Sequence, residues 1–552
     1  MIKKNTAIIV FTLCAITYLL GMFFIPLMDI DAAQYASISR EMLERKSYLQ
    51  FYDLGYDYLD KPPMLFWISG LFLKILGIHD WAYRLPSFGF AWLAVYSTYR
   101  LALLFYKKDI ALLAAMVLAS SQAMFLITHD VRTDTMLMGW VTFSLWQLAT
   151  WFTGREWKNF ILAFIAIAGG MMTKGPIALM APVFAFLPHI VLRRQWKNLF
   201  RWEYIIGVII IAILLIPMSI GLYMQYDLHP GKLINGDPIQ SGLRFYYWTQ
   251  SFGRYTGENH FKEMSDFSFL FQNMLWSFLP WIIFFMMGLI SDIIGLIRDR
   301  FTLTLKQEWF STGGFIVTYI VLGRSQAQLP HYIFIVFPLA AIITAKFLYK
   351  LFYTEEFKRW KRFFSMLHLV IFSLLWIAVV ALMIFPFPSI PKYIAVLAFL
   401  GLILLYVLFF SKKLSLHPAL AIALFTIIGI NIFLDTQFYP RLLTYQKGNG
   451  FANYINQNNI DKSKVVMLSE NVGHSLAFYS QHVYPQKSSN QITTGNWVIA
   501  KKDSIPIIQR KFANSKTIMQ FNSFGVTGLT LPFLNPATRE KELTPYVMIE
   551  VK

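Results

Sequence analysis

The sequence predicts an α-helical polytopic membrane protein of about 13 transmembrane helices, closed by a small C-terminal α/β domain. Three observations lead there. Apolar segments of about 20 residues recur along most of the chain, which is the length a helix needs to cross a bilayer. The connections between them alternate between basic and non-basic. The composition is 56% hydrophobic and only 14% charged, against about one-quarter charged in soluble proteins. Aromatic residues reach 17%, with 51 Phe, which suits helix surfaces against lipid and belts at the membrane edges.

The chain opens Met1-Ile2-Lys3-Lys4 and then runs apolar to Pro26. That run is longer than the roughly 7–15 residues of a signal-peptide core and lacks a small-x-small cleavage site. It is expected to remain as a first span, at 6–26. Further spans are expected at 85–105, 110–128, 135–152, 160–173, 176–192 and 204–224. The remainder fall at 268–296, 309–322, 332–352, 364–385, 392–411 and 418–437. The fifth and sixth share a short hinge, Lys174-Gly175-Pro176.

If Lys3 and Lys4 lie inside, every second connection should be basic. These connections hold Lys107 and Lys108, then Arg155 and Lys158, then Arg193, Arg194, Lys197 and Arg201. Later ones hold Arg298, Arg300 and Lys306, then Lys358, Arg359, Lys361 and Arg362, and finally Lys412 and Lys413. A miscount by one span would break this alternation. The odd total leaves the segment after 438 outside. The chain therefore divides into a membrane part, 1–440, with outer loops at 27–84 and 225–267, and an outer soluble part, 446–552. That last part carries short β-like runs, 464–468 and 497–500, separated by Asn, Gly and Ser turns.

The net charge of +19 does not point to nucleic acid, because no long basic run with interleaved aromatics is present. The basic residues sit in short tracts beside apolar segments, which implies contact with anionic membrane lipids. Cys14 is the only cysteine, so disulfides, CxxC motifs and cysteine metal sites within the chain are excluded. No histidine pair has ligand spacing such as HExxH. A divalent cation among the acidic residues at the outer mouth is the one cofactor left open.

The unusual polar residues gather in six stretches on the outer side. In the first, Asp31 precedes an amphipathic segment with Tyr35, Ile38 and Met42 on one stripe and Arg40, Glu41, Glu44 and Arg45 elsewhere. Such a helix would lie along the membrane surface, and Asp31 with Gln34 has the spacing of a capping box. The second is Asp60-Lys61-Pro62-Pro63, where proline suits the first turn of a following helix. Lys61 there could snorkel or pair with a lipid phosphate. The third, 129–134, ends in Asp134, a cap for the fourth span or a ligand-binding carboxylate. The fourth is Thr173-Lys174-Gly175-Pro176, with a lysine expected at the outer surface. The fifth, 245–255, contains Arg254, and the sixth runs Leu329-Pro330-His331-Tyr332. Singly, each is an ordinary anchor or cap. Jointly, ionisable residues at one membrane edge mark a functional site.

These motifs, in this order, resemble the GT-C superfamily of lipid-dependent glycosyltransferases. Within it, the resemblance is to the branch shared by protein O-mannosyltransferases and aminoarabinose transferases acting on lipid A. It rests on Asp31-x-x-x-Tyr35, Ile38-Ser39-Arg40-Glu41-Met42, Asp60-Lys61-Pro62-Pro63, Asp134, Thr173–Pro176 and Leu329–Tyr332, covering roughly residues 1–340. The resemblance implies that Asp31 is the catalytic carboxylate, that Lys61 contacts the lipid phosphate, and that Arg254 is a second phosphate-binding residue. Tyr35, Asp60, Asp134, Lys174, His331 and Tyr332 fall at substrate-binding positions. Asp60 stands where the family usually has Glu. Ala32 and Gln34 stand where the aminoarabinose pattern has an acid and an arginine, which sets this chain's substrate recognition apart.

The implied activity is inverting transfer of a sugar from a polyprenyl-phosphate donor to lipid A or another envelope glycolipid, outside a bacterial cytoplasmic membrane. A protein acceptor is the alternative. So is a non-enzymatic transporter of lipid-linked sugar, which would favour polar residues at mid-membrane and broken helices in paired positions.

Overall fold

The computed structural model describes residues 2–234, 236–256, 258, 266–304, 307–411, 414–468 and 472–552, without the side chains of residues 254, 255, 383 and 384. Lys306, Lys412 and Lys413 of the basic tracts lie outside these residues. The first part is helical: α1 (Lys4–Phe24), α2 (Asp31–Arg45), α3 (Met64–Leu76), α4 (Asp80–Leu103), α5 (Lys108–Ala119) and α6 (Gln122–His129). It continues through α7 (Thr133–Gly154), α8 (Trp157–Lys174), α9 (Ile177–Leu192) and α10 (Glu203–Leu222). Later helices include Ile282–Arg298, Phe310–Gly323, Phe337–Tyr353, Lys358–Ile384, Lys392–Phe410 and Pro418–Phe433. Among the described residues, six helices are long and apolar enough to cross a membrane, or seven if one bent pair counts as a single span.

That bent pair is α5 and α6, which meet at 53°. Its cause is local. Ser120 and Ser121 turn their hydroxyls back onto the carbonyls of Met116 and Leu118, at 2.6 and 3.0 Å, a bond that competes with the helix ladder. The Trp281 indole N–H then donates to Ser120 Oγ at 3.0 Å and holds the break. Between α8 and α9 the break comes from Gly175, at φ +91°, followed by Pro176, which cannot continue a helix from its N–H.

The ends of α1 and α6 are fixed by one buried side chain. Arg84 of α4 is fully enclosed. Its guanidinium donates to the carbonyls of Met22, Ile25, Pro26 and His129, acceptors that helix C-termini leave without intrahelical partners.

Residues 465–550 form a five-stranded sheet with β5 (Val465–Leu468), β6 (Gln486–Lys487), β7 (Trp497–Lys501), β8 (Lys516–Ser523) and β9 (Thr544–Glu550). Four earlier strands make two small hairpins, β1 (Tyr52–Asp53) with β2 (Tyr56–Asp57), and β3 (Lys232–Ile234) with β4 (Asp237–Ile239). The order of the large sheet is β6-β5-β7-β9-β8. β5 pairs in parallel with β6 and β7, while β9 is antiparallel to β7 and β8. Successive side chains alternate between two cores: Val465, Met467, Ile499 and Met548 on one face, Val466, Val498, Val547 and Ile549 on the other. A strand pattern buried on both faces reads as continuous apolar runs, as these do.

Candidate functional site

Asp31 opens α2, but the capping box expected with Gln34 does not form. Ile30 occupies the cap position without a side-chain bond, and Gln34 donates its amide to Asp53 Oδ2 at 2.6 Å instead. The Asp31 carboxylate turns to Arg132, which donates to it through Nη1. The same guanidinium donates through Nε to Asp130 Oδ2 at 3.0 Å. Burial works against the charged form of Arg132, yet Asp130 and then Asp31 outweigh it and raise its pKa above the ordinary value. The pair is accessible: the Asp31 side chain is 33% exposed and Arg132 20%.

The helix carrying Asp31 is enclosed by other parts of the protein. α2 packs between α3 and the helix His474–Ser480, and its charged residues Arg40 and Glu41 are 2% and 1% exposed. They survive burial through pairs with Glu44 and Arg45 at 2.6 and 2.7 Å. The approach to α3 is close because of Gly70, where a Cβ would come within 2.3 Å of the Met42 methyl. Tyr35, one turn beyond Asp31, is buried. Its hydroxyl is raised above its ordinary pKa by burial, with Lys61 opposing and Asp31 adding. It therefore stays protonated, a hydrogen-bond donor within electrostatic reach of Asp31, Lys61, Arg132 and Asp60.

Lys61 emerges between Asp60 and the proline pair. Its Nζ lies 3.7 Å from Asp60 Oδ2. The second long loop is tied to this point, because Gln250 donates its side-chain amide to the Asp60 carbonyl. Arg254 lies in the short helix Gly253–Thr256 of that loop, but its side chain is outside the described residues.

Lys174 is largely covered. It ends α8 with its side chain 15% exposed, and Nζ lies 2.5 Å from Asp134 Oδ1 in the first turn of α7. His331 Nε2 stands 3.5 Å from the other Asp134 oxygen, and the ammonium sits 3.8 Å from the centre of the Tyr332 ring. Asp134 thus supports Lys174. A cavity of about 160 Å³ opens beside these groups. Lys61, Asp134, Lys174 and Tyr332 share its wall with apolar residues such as Leu137, Ile177, Phe184 and Leu322. Two ammonium groups at a mostly apolar cavity suit an anion carried on a hydrocarbon tail, since fixed charges act most strongly where water is scarce.

Two participants escape the sequence reading. Arg132 was within a noted stretch, but only the fold brings it to Asp31, 101 positions away. Gln250 likewise carries no charge to signal its link across 190 positions. Among the described residues, no group of three or more His, Cys, Asp or Glu side chains could hold a metal ion.

A family model described as dolichyl-phosphate-mannose-protein mannosyltransferase matches residues 60–220. The undecaprenyl phosphate-alpha-4-amino-4-deoxy-L-arabinose arabinosyl transferase of Photorhabdus laumondii is 25% identical over 338 residues, 60% of this chain and 57% of that protein. The enzyme of the same name from Edwardsiella ictaluri is 25% identical over 336 residues, 58% of this chain and 55% of that protein. The chain thus spans little more than half the length of the curated relatives it matches. The crystal structure of ArnT from Cupriavidus metallidurans bound to undecaprenyl phosphate superimposes with a TM-score of 0.74 at 15% identity, covering 99% of this chain and 98% of that one.

The fold is that of the ArnT crystal structure. In sequence the chain resembles the aminoarabinose transferases, in agreement with the motifs that begin at Asp31.

Proposed function

We propose that this protein is an inverting glycosyltransferase that moves a sugar from a polyprenyl-phosphate donor to an acceptor outside the cytoplasmic membrane of a bacterium. In this reading the acceptor is lipid A or another envelope glycolipid. A protein hydroxyl is the second reading, favoured by the mannosyltransferase description of the matching family model. Thirteen spans, an inner N-terminus and an outer C-terminal domain at 446–552 belong to the same proposal. Helices at the apolar segments and the basic alternate connections support it.

The observation that carries the proposal is the cavity walled by Lys61 and Lys174 beside apolar residues, with the Asp31–Arg132 pair close to Tyr35. Breaking a sugar–phosphate bond builds negative charge on the leaving phosphate while the sugar gains oxocarbenium character. Lys61, with Arg254, stabilises that phosphate. Charges fixed in a water-poor cleft need little reorganisation when the new charge appears. Asp31 orients the acceptor and, for a hydroxyl, takes its proton as general base. For an ionised phosphate acceptor it only positions. Arg132 holds Asp31 in the resting protein, and the incoming substrate competes for that guanidinium. One displacement inverts C1.

The test is transfer by the purified full chain given a polyprenyl-phosphate sugar. Asp31→Asn and Lys61→Ala should each lose at least about tenfold in rate, or roughly 1.4 kcal/mol of transition-state stabilisation. Unchanged turnover in both variants would refute the assignment.

A further inference from the structure

We infer that a second cavity, roofed by the C-terminal sheet, receives the uncharged, hydroxyl-rich sugar head of a glycolipid acceptor. It encloses about 700 Å³ between the first outer loop, the β3 hairpin and the C-terminal region. The inference rests on the glycosyltransferase reading and narrows its acceptor.

Three carboxylates line this cavity, Asp53, Asp57 and Asp60. Each has one cationic partner: His474 at 3.0 Å, Lys232 at 3.0 Å and Lys61 at 3.7 Å. Neither Lys232 nor Lys61 belongs to the wall itself, where His474 is the sole group able to carry positive charge among the described residues. A phosphate entering here would meet carboxylate oxygens with little to compensate, and like charges in a restricted site repel. A sugar hydroxyl is suited instead. A paired carboxylate keeps lone pairs that accept O–H donors, and Gln34 and Gln486 add amides of both polarities.

Tyr56 also lines the space and is 74% exposed, so it offers a flat apolar face beside a polar tip. Position completes the case. Asp60 belongs to this cavity and Lys61 to the apolar one, so consecutive residues wall the two chambers.

The experiment measures equilibrium binding to the detergent-purified full chain of two probes: an acylated glucosamine disaccharide without phosphates, and the same lipid phosphorylated at both ends. The phosphate-free form should bind at least tenfold more tightly. Gln486→Arg, on an exposed strand, adds positive charge to the wall and should narrow that gap at least threefold. Asp57→Asn should narrow it as well. Undecaprenyl phosphate binding, read alongside, should be unaltered in both variants and reports that they are folded. Tighter binding of the phosphorylated lipid, a gap unmoved by either variant, or displacement of the disaccharide by a Ser/Thr peptide would each overturn the assignment. Absence of undecaprenyl phosphate binding by the unmodified chain, with the disaccharide preference intact, would sink the donor reading and with it the acceptor role, leaving only a sugar-binding cavity.

Discussion

Two ion pairs of the same chemistry stand in the site, and solvent separates their roles. Asp134 and Lys174 are 2% and 15% exposed, capped by His331 and the Tyr332 ring. Asp31 and Arg132 are 33% and 20% exposed, with Asp130 as the second acceptor. Removing one member of a buried pair strands a charge where water cannot reach it. Removing one member at the rim leaves a charge that water still solvates. The inner pair therefore reads as a fixed strut between α7 and α8, and the rim pair as an exchangeable contact that a substrate can replace.

Three measurements can break or sharpen this contrast. Asp134→Ala should cost about 3–5 kcal/mol of stability, the usual penalty for orphaning a buried charge. The double variant Asp134→Leu with Lys174→Met should recover most of it, both read by thermal unfolding in detergent. At the rim, Asp31→Asn leaves Arg132 its bond to Asp130 and should shift stability by less than about 1 kcal/mol, yet slow sugar transfer roughly tenfold. If Asp31→Asn unfolds the protein as readily as Asp134→Ala, the distinction between strut and exchangeable contact fails.

The smallest effect belongs to a third pair, His474 with Asp53, of intermediate exposure at 12% and 18%. Burial acts against protonation of His474. It is outweighed by the hydrogen bond and charge of Asp53, with Asp29 and Asp31 adding, and the pKa rises above its ordinary value. A raised histidine pKa gives stabilisation fully present below about 6.5, the unfolded value, and lost as pH climbs through the folded one. Hydrogen exchange in the helix His474–Ser480 should quicken over that rise, and His474→Gln should abolish the pH dependence. Exchange that is flat with pH in the unmodified protein would remove His474 from the docking contact.

Much of the architecture was legible because bilayer thickness and sheet pleating leave periodic traces. The apolar segments, the hinge at Gly175 and the strands at 465–468 and 497–501 all follow local rules. The candidate site was legible only as a set of stretches. Asp31, Asp134 and Lys174 could be named, but their partners could not, since each carboxylate had several cations within plausible reach along the chain. Capping chemistry made Gln34 the expected partner of Asp31, whereas tertiary packing gave Gln34 to Asp53 and Arg132 to Asp31. The burial of Arg40 and Glu41 misled in the same way. A charged stripe implies water on that side, and nothing local announced that the helix His474–Ser480 would cover it.

Arg84 bears on how the site can move. Its guanidinium clasps the carbonyls of Met22, Ile25 and Pro26, just ahead of Asp31, together with that of His129, just ahead of Arg132. Both halves of the rim contact thus leave the bundle from one common hub. Tilting of the helices would carry Asp31 and Arg132 as a unit, so what admits a substrate between them must be side-chain rotation, not separation of their backbones.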